Sequence, residues 1–162
     1  MNAEIAAYIA GFLDGDGSIH IQFIRQQEYR YGFYMRMSVS FHQHQTGRGG
    51  LEWLHKQLKV GYLRNRAGQM SDYIITSRPA IRELLKEIKP YVVFKQRQVT
   101  EGLKLLDAIE TIKDRDSFLA VARQIETFTT LNRSKHRKNT IQTVLDVWND
   151  KSRLIPVTTD SI

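Results

Sequence analysis

Asp14 and Asp16 close an apolar run in the order Phe12-Leu13-Asp14-Gly15-Asp16-Gly17-Ser18. Carboxylate and main-chain carbonyl oxygens are hard ligands, so Asp16 with the carbonyl of Gly15 suits a divalent cation such as Mg2+. Upstream, Ile5, Tyr8, Ile9 and Phe12 recur at helical spacing, while Ala3, Ala7, Ala10 and Gly11 line much of the other face. The acids therefore fall at a helix C-terminus, where a carboxylate is unfavourable unless a cation offsets the negative end of the dipole. The bulky face is expected to enter the chain's own core. The small face would let a second helix backbone approach closely, because interaxial distance follows side-chain size. Taken alone, Asp-Gly-Asp-Gly also suits a solvated turn or a calcium loop, so the surrounding elements carry the decision.

Residues 18–24 alternate, with Ile19, Ile21 and Phe23 on one side and Ser18, His20, Gln22 and Ile24 on the other. Residues 33–42 alternate again, with Phe33, Met35, Met37, Val39 and Phe41 opposed to Tyr34, Arg36, Ser38, Ser40 and His42. Two strands are predicted, each with one dry and one hydrogen-bonding face. The linker 25–32 holds Arg25, Gln26, Gln27 and Arg30, is long for a hairpin, and is expected to reach beyond the sheet. A second strand pair is predicted over 60–66 and 72–77 around Ala67-Gly68, with Tyr62, Arg64 and Arg66 on one face. Between the pairs, Gly47, Gly49 and Gly50 predict a loop, and Leu51, Leu54 and Leu58 a short helix over 51–58. Ser77 and Pro79 open a further helix with Ile81, Leu84, Leu85 and Ile88 on its apolar face, and Pro90 ends it. The order is αββαββα, followed by three amphipathic helices over 95–112, 117–130 and 140–150.

At 162 residues the chain fits one domain, read as 1–153 with a polar mobile tail over 154–162. A net charge of +7 favours a polyanionic partner, and the absence of cysteine excludes disulfides and thiolate metal sites. No apolar run approaches the ~20 residues of a membrane span, no signal core is present, and no glycine-rich nucleotide loop occurs. His42 and His44 share a strand face, but no cysteine or nearby carboxylate completes a transition-metal site. The charge instead concentrates in Leu131-Asn132-Arg133-Ser134-Lys135-His136-Arg137-Lys138-Asn139, a stretch suited to phosphates.

A strand rises about 3.3 Å per residue and DNA about 3.4 Å per base pair, so a strand over 34–42 lying in a groove spans roughly 9 base pairs. On the polar faces Arg36, Arg64 and Arg66 match guanine edges, Gln22 matches adenine, and Ser38, Ser40 and His42 adapt to several bases.

Ile9-Ala10-Gly11-Phe12-Leu13-Asp14-Gly15-Asp16-Gly17 resembles the LAGLIDADG motif of homing endonucleases. The resemblance extends over about residues 5–150 and is nearest to the single-motif, homodimeric, intron-encoded enzymes of algal organelles. It implies an α+β fold with a saddle-shaped antiparallel sheet on double-stranded DNA, and additional C-terminal helices. It also implies a metal-dependent endonuclease that makes a staggered double-strand break in a long pseudo-palindromic target and so promotes intron homing in a chloroplast. The alternative on the same scaffold is an intron maturase or transcription regulator without useful cleavage. Intact Asp16 and Lys95 favour the enzyme.

In that family the second acid binds a divalent ion, typically Mg2+, with Mn2+ or Ca2+ at the same sites; here these ligands correspond to Asp16 and the Gly15 carbonyl, and Asp14 to a structural acid. The catalytic lysine corresponds to Lys95 in Phe94-Lys95-Gln96-Arg97-Gln98. The water-holding glutamine corresponds to Gln45, with Gln43 as the alternative, and the active-site arginine to Arg48, although this chain has a shorter, glycine-rich loop there. Gln22, Ile24, Gln26, Arg36, Ser38, Ser40, His42, Arg64, Arg66, Asp72, Ser134, Lys135, Lys138 and Asn139 are expected on DNA, with Tyr73 beside Asp72 in the second hairpin. Since the chain carries one copy of the motif and a duplex has two strands, Ala7, Ala10 and Gly11 are expected to pack against a second copy.

Overall fold

The computed structural model describes residues 1–132 and 139–150. The elements are α1 (Ala3–Asp16), β1 (Gly17–Arg25), β2 (Phe33–His44), a 3-10 turn (Gln45–Gly47), α2 (Arg48–Leu58), β3 (Tyr62–Arg66), β4 (Met70–Ile75), α3 (Arg78–Ile88), α4 (Gln96–Glu110), α5 (Arg115–Thr129) and α6 (Ile141–Asn149). This is the expected α+β order with three added helices. The four strands form one antiparallel sheet in the order β1-β2-β4-β3. Ser134, Lys135, Lys138 and the segment 151–162, which includes the proposed tail, lie outside the described residues.

Alternation decides the layers. Phe33, Met35, Met37, Val39 and Phe41 of β2 pair across from Arg25, Phe23, Ile21, Ile19 and Gly17 of β1, so one face of the sheet is continuously apolar. The apolar residues of both strands, from Ile19 to Phe23 and from Phe33 to Phe41, join a single core with Ile9 and Leu13 of α1, Leu84 and Leu85 of α3, Val99 and Leu106 of α4, and Phe118 of α5. α4 packs closely on both α3 and the sheet: a Cβ at Gly102 would stand in ordinary contact, 3.6 Å from a Leu85 methyl and 3.8 Å from one of Ile19. The opposite face is left polar and open.

Local signals set the helix ends. The Asn2 side chain caps α1 by accepting from the Ile5 N–H at 2.8 Å, and Asp114 with Ser117 forms a reciprocal capping box at the start of α5. β1 is an edge strand, and its free carbonyls are covered from the C-terminal segment. Asn132 donates to the Ile19 carbonyl at 2.9 Å and Asn139 to the Phe23 carbonyl at 2.8 Å. Trp148 of α6 fastens the β1–β2 connection by donating to the Tyr31 carbonyl at 2.8 Å.

Three expectations need correction. The predicted glycine loop over 47–50 does not exist as a loop: helix α2 begins at Arg48 and contains Gly49 and Gly50, the low helix propensity of glycine being overridden by burial of Leu51 and Leu54. Ala10, expected against a second copy, is fully buried in the chain's own core, whereas Ala7 and Gly11 are exposed. Tyr8, assigned to the core face, is 58% exposed and rests edge-on against Trp53. The buried stripe of α1 is thus rotated toward Ala6, Ile9, Ala10 and Leu13.

Candidate nucleic-acid interface and acidic centre

The polar sheet face forms a groove of about 540 Å³. Gln22, Ile24, Arg36, Ser38, Ser40, His42, Arg64, Arg66, Asp72 and Asn139 all line it. Strand register explains the grouping: His42 sits opposite Asp72, Asp72 opposite Arg64, and Gln22 opposite Arg36. Gln26 lies at the exposed mouth of the β1–β2 connection, where its amide reaches Glu28 at 3.4 Å. His20, Tyr62, Ile74, Thr76 and Asn132 also line the groove. His20 and Tyr62 share the alternating polar faces, so that pattern marks them. Asn132 enters through tertiary packing, which no local pattern encodes.

Two expected contact residues turn inward. Asp72 is fully buried, and its carboxylate accepts from Arg64 at 2.6 Å, from His42 Nδ1 at 2.8 Å and from Arg66 at 3.5 Å. Burial alone would raise its pKa, but hydrogen bonds from Arg64 and His42, with the charge of Arg66, hold it below the ordinary aspartate range. Asp72 therefore holds His42 on one side and Arg64 and Arg66 on the other. Tyr73 is buried on the opposite face and donates to the Val60 carbonyl at 2.5 Å. His20 has its pKa lowered first by burial and then by the neighbouring His42. His44 is turned toward Thr46 at 2.9 Å and Gln69 at 3.1 Å, which separates it from His42.

The acidic centre lies at the C-terminal end of α1. Asp14 points back into the fold, accepting the main-chain N–H groups of Val93 at 2.6 Å, Phe94 at 3.1 Å and Lys95 at 2.8 Å. It thereby fixes the segment that enters α4. Lys95 Nζ returns a bond of 2.6 Å to the Asp14 carbonyl. Burial lowers the Lys95 pKa and outweighs the opposing pull of Asp14 and Asp16. Asp16 is exposed, with one carboxylate oxygen receiving the Gln43 amide at 2.7 Å.

Gln43, and not Gln45, makes the bond to Asp16. Gln45 begins the 3-10 turn, and its main-chain N–H bonds the Gln69 carbonyl at 2.8 Å. A Cβ at Gly47 would stand 2.9 Å from Gln43 Oε1, so glycine leaves that amide room. Arg48 is held by Glu52 at 2.8 Å and by Asn65, on the second hairpin, and makes no hydrogen bond to the acidic centre. Among the described residues no group of three or more His, Cys, Asp or Glu side chains could hold a metal. The exposed Asp16 carboxylate and the adjoining Gly15 carbonyl form a hard oxygen donor set that fits Mg2+, an ion that keeps several waters and shares its remaining positions with phosphate oxygens.

An αββαββ core thus carries an acidic helix end and an open, arginine-lined polar sheet groove. Residues 9–102 match the LAGLIDADG endonuclease family, and the chain belongs to that family. The chain is 34% identical over 159 residues to DNA endonuclease I-CreI of Chlamydomonas reinhardtii, covering 96% of this chain and 97% of that protein. It is 27% identical over 116 residues to DNA endonuclease I-CvuI of Chlorella vulgaris, covering 72% of each. The fold matches the crystal structure of I-CvuI in complex with its target in the presence of Ca with a TM-score of 0.83 and 23% identity, covering 94% of this chain and 97% of that one. An archaeal intron-encoded homing endonuclease, I-Vdi141I, complexed with DNA, matches with a TM-score of 0.76 and 18% identity over 89% of this chain and 94% of that one.

Proposed function

We propose that the protein is a homodimeric, divalent-metal-dependent homing endonuclease that makes a staggered double-strand break in a long pseudo-palindromic DNA site. The observation that carries this reading is the exposed Asp16, bonded to Gln43 at the end of the helix that runs directly into β1, the strand whose polar face lines a groove with Arg36, Arg64 and Arg66. Membership of the endonuclease family and the two algal relatives support it. Residues 1–153 act as one endonuclease domain.

Each residue has a derived task. Asp16 and the Gly15 carbonyl would hold a divalent ion such as Mg2+, which would supply Lewis-acid stabilisation of the charge that develops during phosphodiester hydrolysis. Gln43 orients the Asp16 carboxylate and offers its remaining amide hydrogen to solvent. Asp14 holds Lys95, whose ammonium stands where negative charge develops on the scissile phosphate. Ser134, Lys135 and Lys138 neutralise backbone phosphates, and the groove residues read base edges.

One Asp16 per chain serves one strand, so a duplex break needs two chains. The exposed face of α1 with Ala7 and Gly11 lies near exposed apolar side chains: Tyr8, Val93 at 73% and Phe94 at 82%. Burial of these groups between two copies brings the two acidic centres together beside a two-fold axis. The relatives' algal sources favour an organelle, the chloroplast, as the place of action.

The test is a cleavage selection from a random duplex library with Mg2+. A single near-palindromic consensus cut on both strands is expected, and none should be cut with chelator present. Specific binding with no cleavage in Mg2+, Mn2+ or any other divalent ion would overturn the nuclease reading in favour of a binding protein.

A further inference from the structure

Ser18, Ser40, His42 and Asp72 form one hydrogen-bonded chain across three strands. Ser18 Oγ lies 2.8 Å from Ser40 Oγ, and each hydroxyl lies 3.2 Å from His42 Nε2. His42 Nδ1 lies 2.8 Å from Asp72 Oδ1. An ionised carboxylate only accepts, so Nδ1 carries a proton. Arg64 and Arg66 share the Asp72 carboxylate with that ring N–H. In the neutral ring, a proton on Nδ1 leaves Nε2 as an acceptor.

The two serines hold two hydroxyl protons for two internal acceptors. One proton goes to Nε2, and the other must lie between the serine oxygens, because an unbridged 2.8 Å O···O approach is repulsive. Every proton in the chain therefore points toward Asp72, and the oxygen lone pairs are left outward. Ser40 is only 6% exposed, whereas Ser18, at the start of β1 and two residues from Asp16, is partly open. Neighbouring arginines offer donors only. This pair offers the opposite.

We infer that buried Asp72 sets the polarity of this chain, so that Ser18 presents an acceptor to the major groove and selects an amino-bearing base, adenine or cytosine, on the strand that it faces. The inference rests on the DNA-reading function proposed above. It makes Ser18 a specificity residue and Asp72 a positioning residue that acts on DNA without touching it. Arg64 and Arg66, as guanine readers, share that anchor, so their preferences and that of Ser18 are linked.

The test compares wild type, Ser18→Ala and Asp72→Asn, each incubated with a randomised duplex library without divalent metal and sequenced for the bound fraction. In wild type, one symmetry-related pair of positions should favour adenine or cytosine over guanine or thymine by roughly fivefold. Ser18→Ala should erase that preference and leave the positions read by Gln22 and Arg36 unchanged. In Asp72→Asn the amide oxygen remains for Arg64, while the amide N–H meets His42 Nδ1 and turns the protons of the chain outward. The preference should then move to guanine or thymine. A Ser18→Ala profile identical to wild type, or an Asp72→Asn profile that keeps adenine or cytosine, would overturn the inference. If Asp72→Asn shows no cooperative melting, Ser18→Ala decides alone. Absence of any enriched sequence with wild type would instead refute specific DNA reading itself.

Discussion

Asp14 and Asp16 are the same residue type two positions apart, and their surroundings give them different work. Asp14 is saturated by three main-chain N–H groups, whereas Asp16 faces outward with only the Gln43 amide on one oxygen. Asp16→Asn is therefore expected to abolish Mg2+-dependent cleavage and to leave sequence-specific binding intact, since the groove is untouched. Purified variant that still cuts its target would remove Asp16 from the metal site. A second pair of variants separates the two glutamines. Gln43→Ala should slow cleavage about 10-fold or more, because the carboxylate loses its orienting partner, while Gln45→Ala stays near wild type. Single-turnover rates decide between them, and the reverse ranking would restore Gln45 to the site.

At the scale of elements, α1 buries one stripe and leaves another open for the proposed second copy. Ala6, Ile9, Ala10 and Leu13 bury against the sheet and α3, while Ala7 and Gly11 remain on the surface, where a Cβ at Gly11 would meet nothing within 4 Å. Gly11→Leu should thus leave the chain folded and keep two copies apart. Sedimentation is expected to show a folded monomer without double-strand cleavage; a fully active dimer would place the interface elsewhere. The same periodicity that revealed α1 could not fix its rotation. A helix with small residues on several sides offers more than one buriable stripe, so Ala10 and Tyr8 exchanged their expected places. The glycines at 47, 49 and 50 misled for a related reason: a local loop signal of about 1 kcal/mol per glycine yields to an apolar helix face that docks.

Across the whole molecule, one titration reports on integrity. Tyr73 is pushed from 10.0 up to about 12 by burial, and its O–H donates to the Val60 carbonyl. A raised folded-state value means that the stabilisation is complete below pH 10 and is lost as pH rises toward 12. Urea unfolding across that window should show falling stability in wild type and a flatter profile in Tyr73→Phe; parallel profiles would assign the alkaline loss to other groups. The sequence by itself determined the element order, the dry and polar faces of each strand and the acidic helix end, because each rests on a local period or on a contiguous motif, whereas Lys95 was singled out only through the family resemblance. It also marked Arg64 and Arg66 as facing outward together. Only the tertiary structure decided that Asp72 is buried beneath them, that Gln43 reaches Asp16, that Arg48 turns away to Asn65, and that Asn132 and Asn139 close the β1 edge. Those contacts join residues from different strands and helices, and their partners are set by sheet register and helix docking, which depend on the whole core being packed.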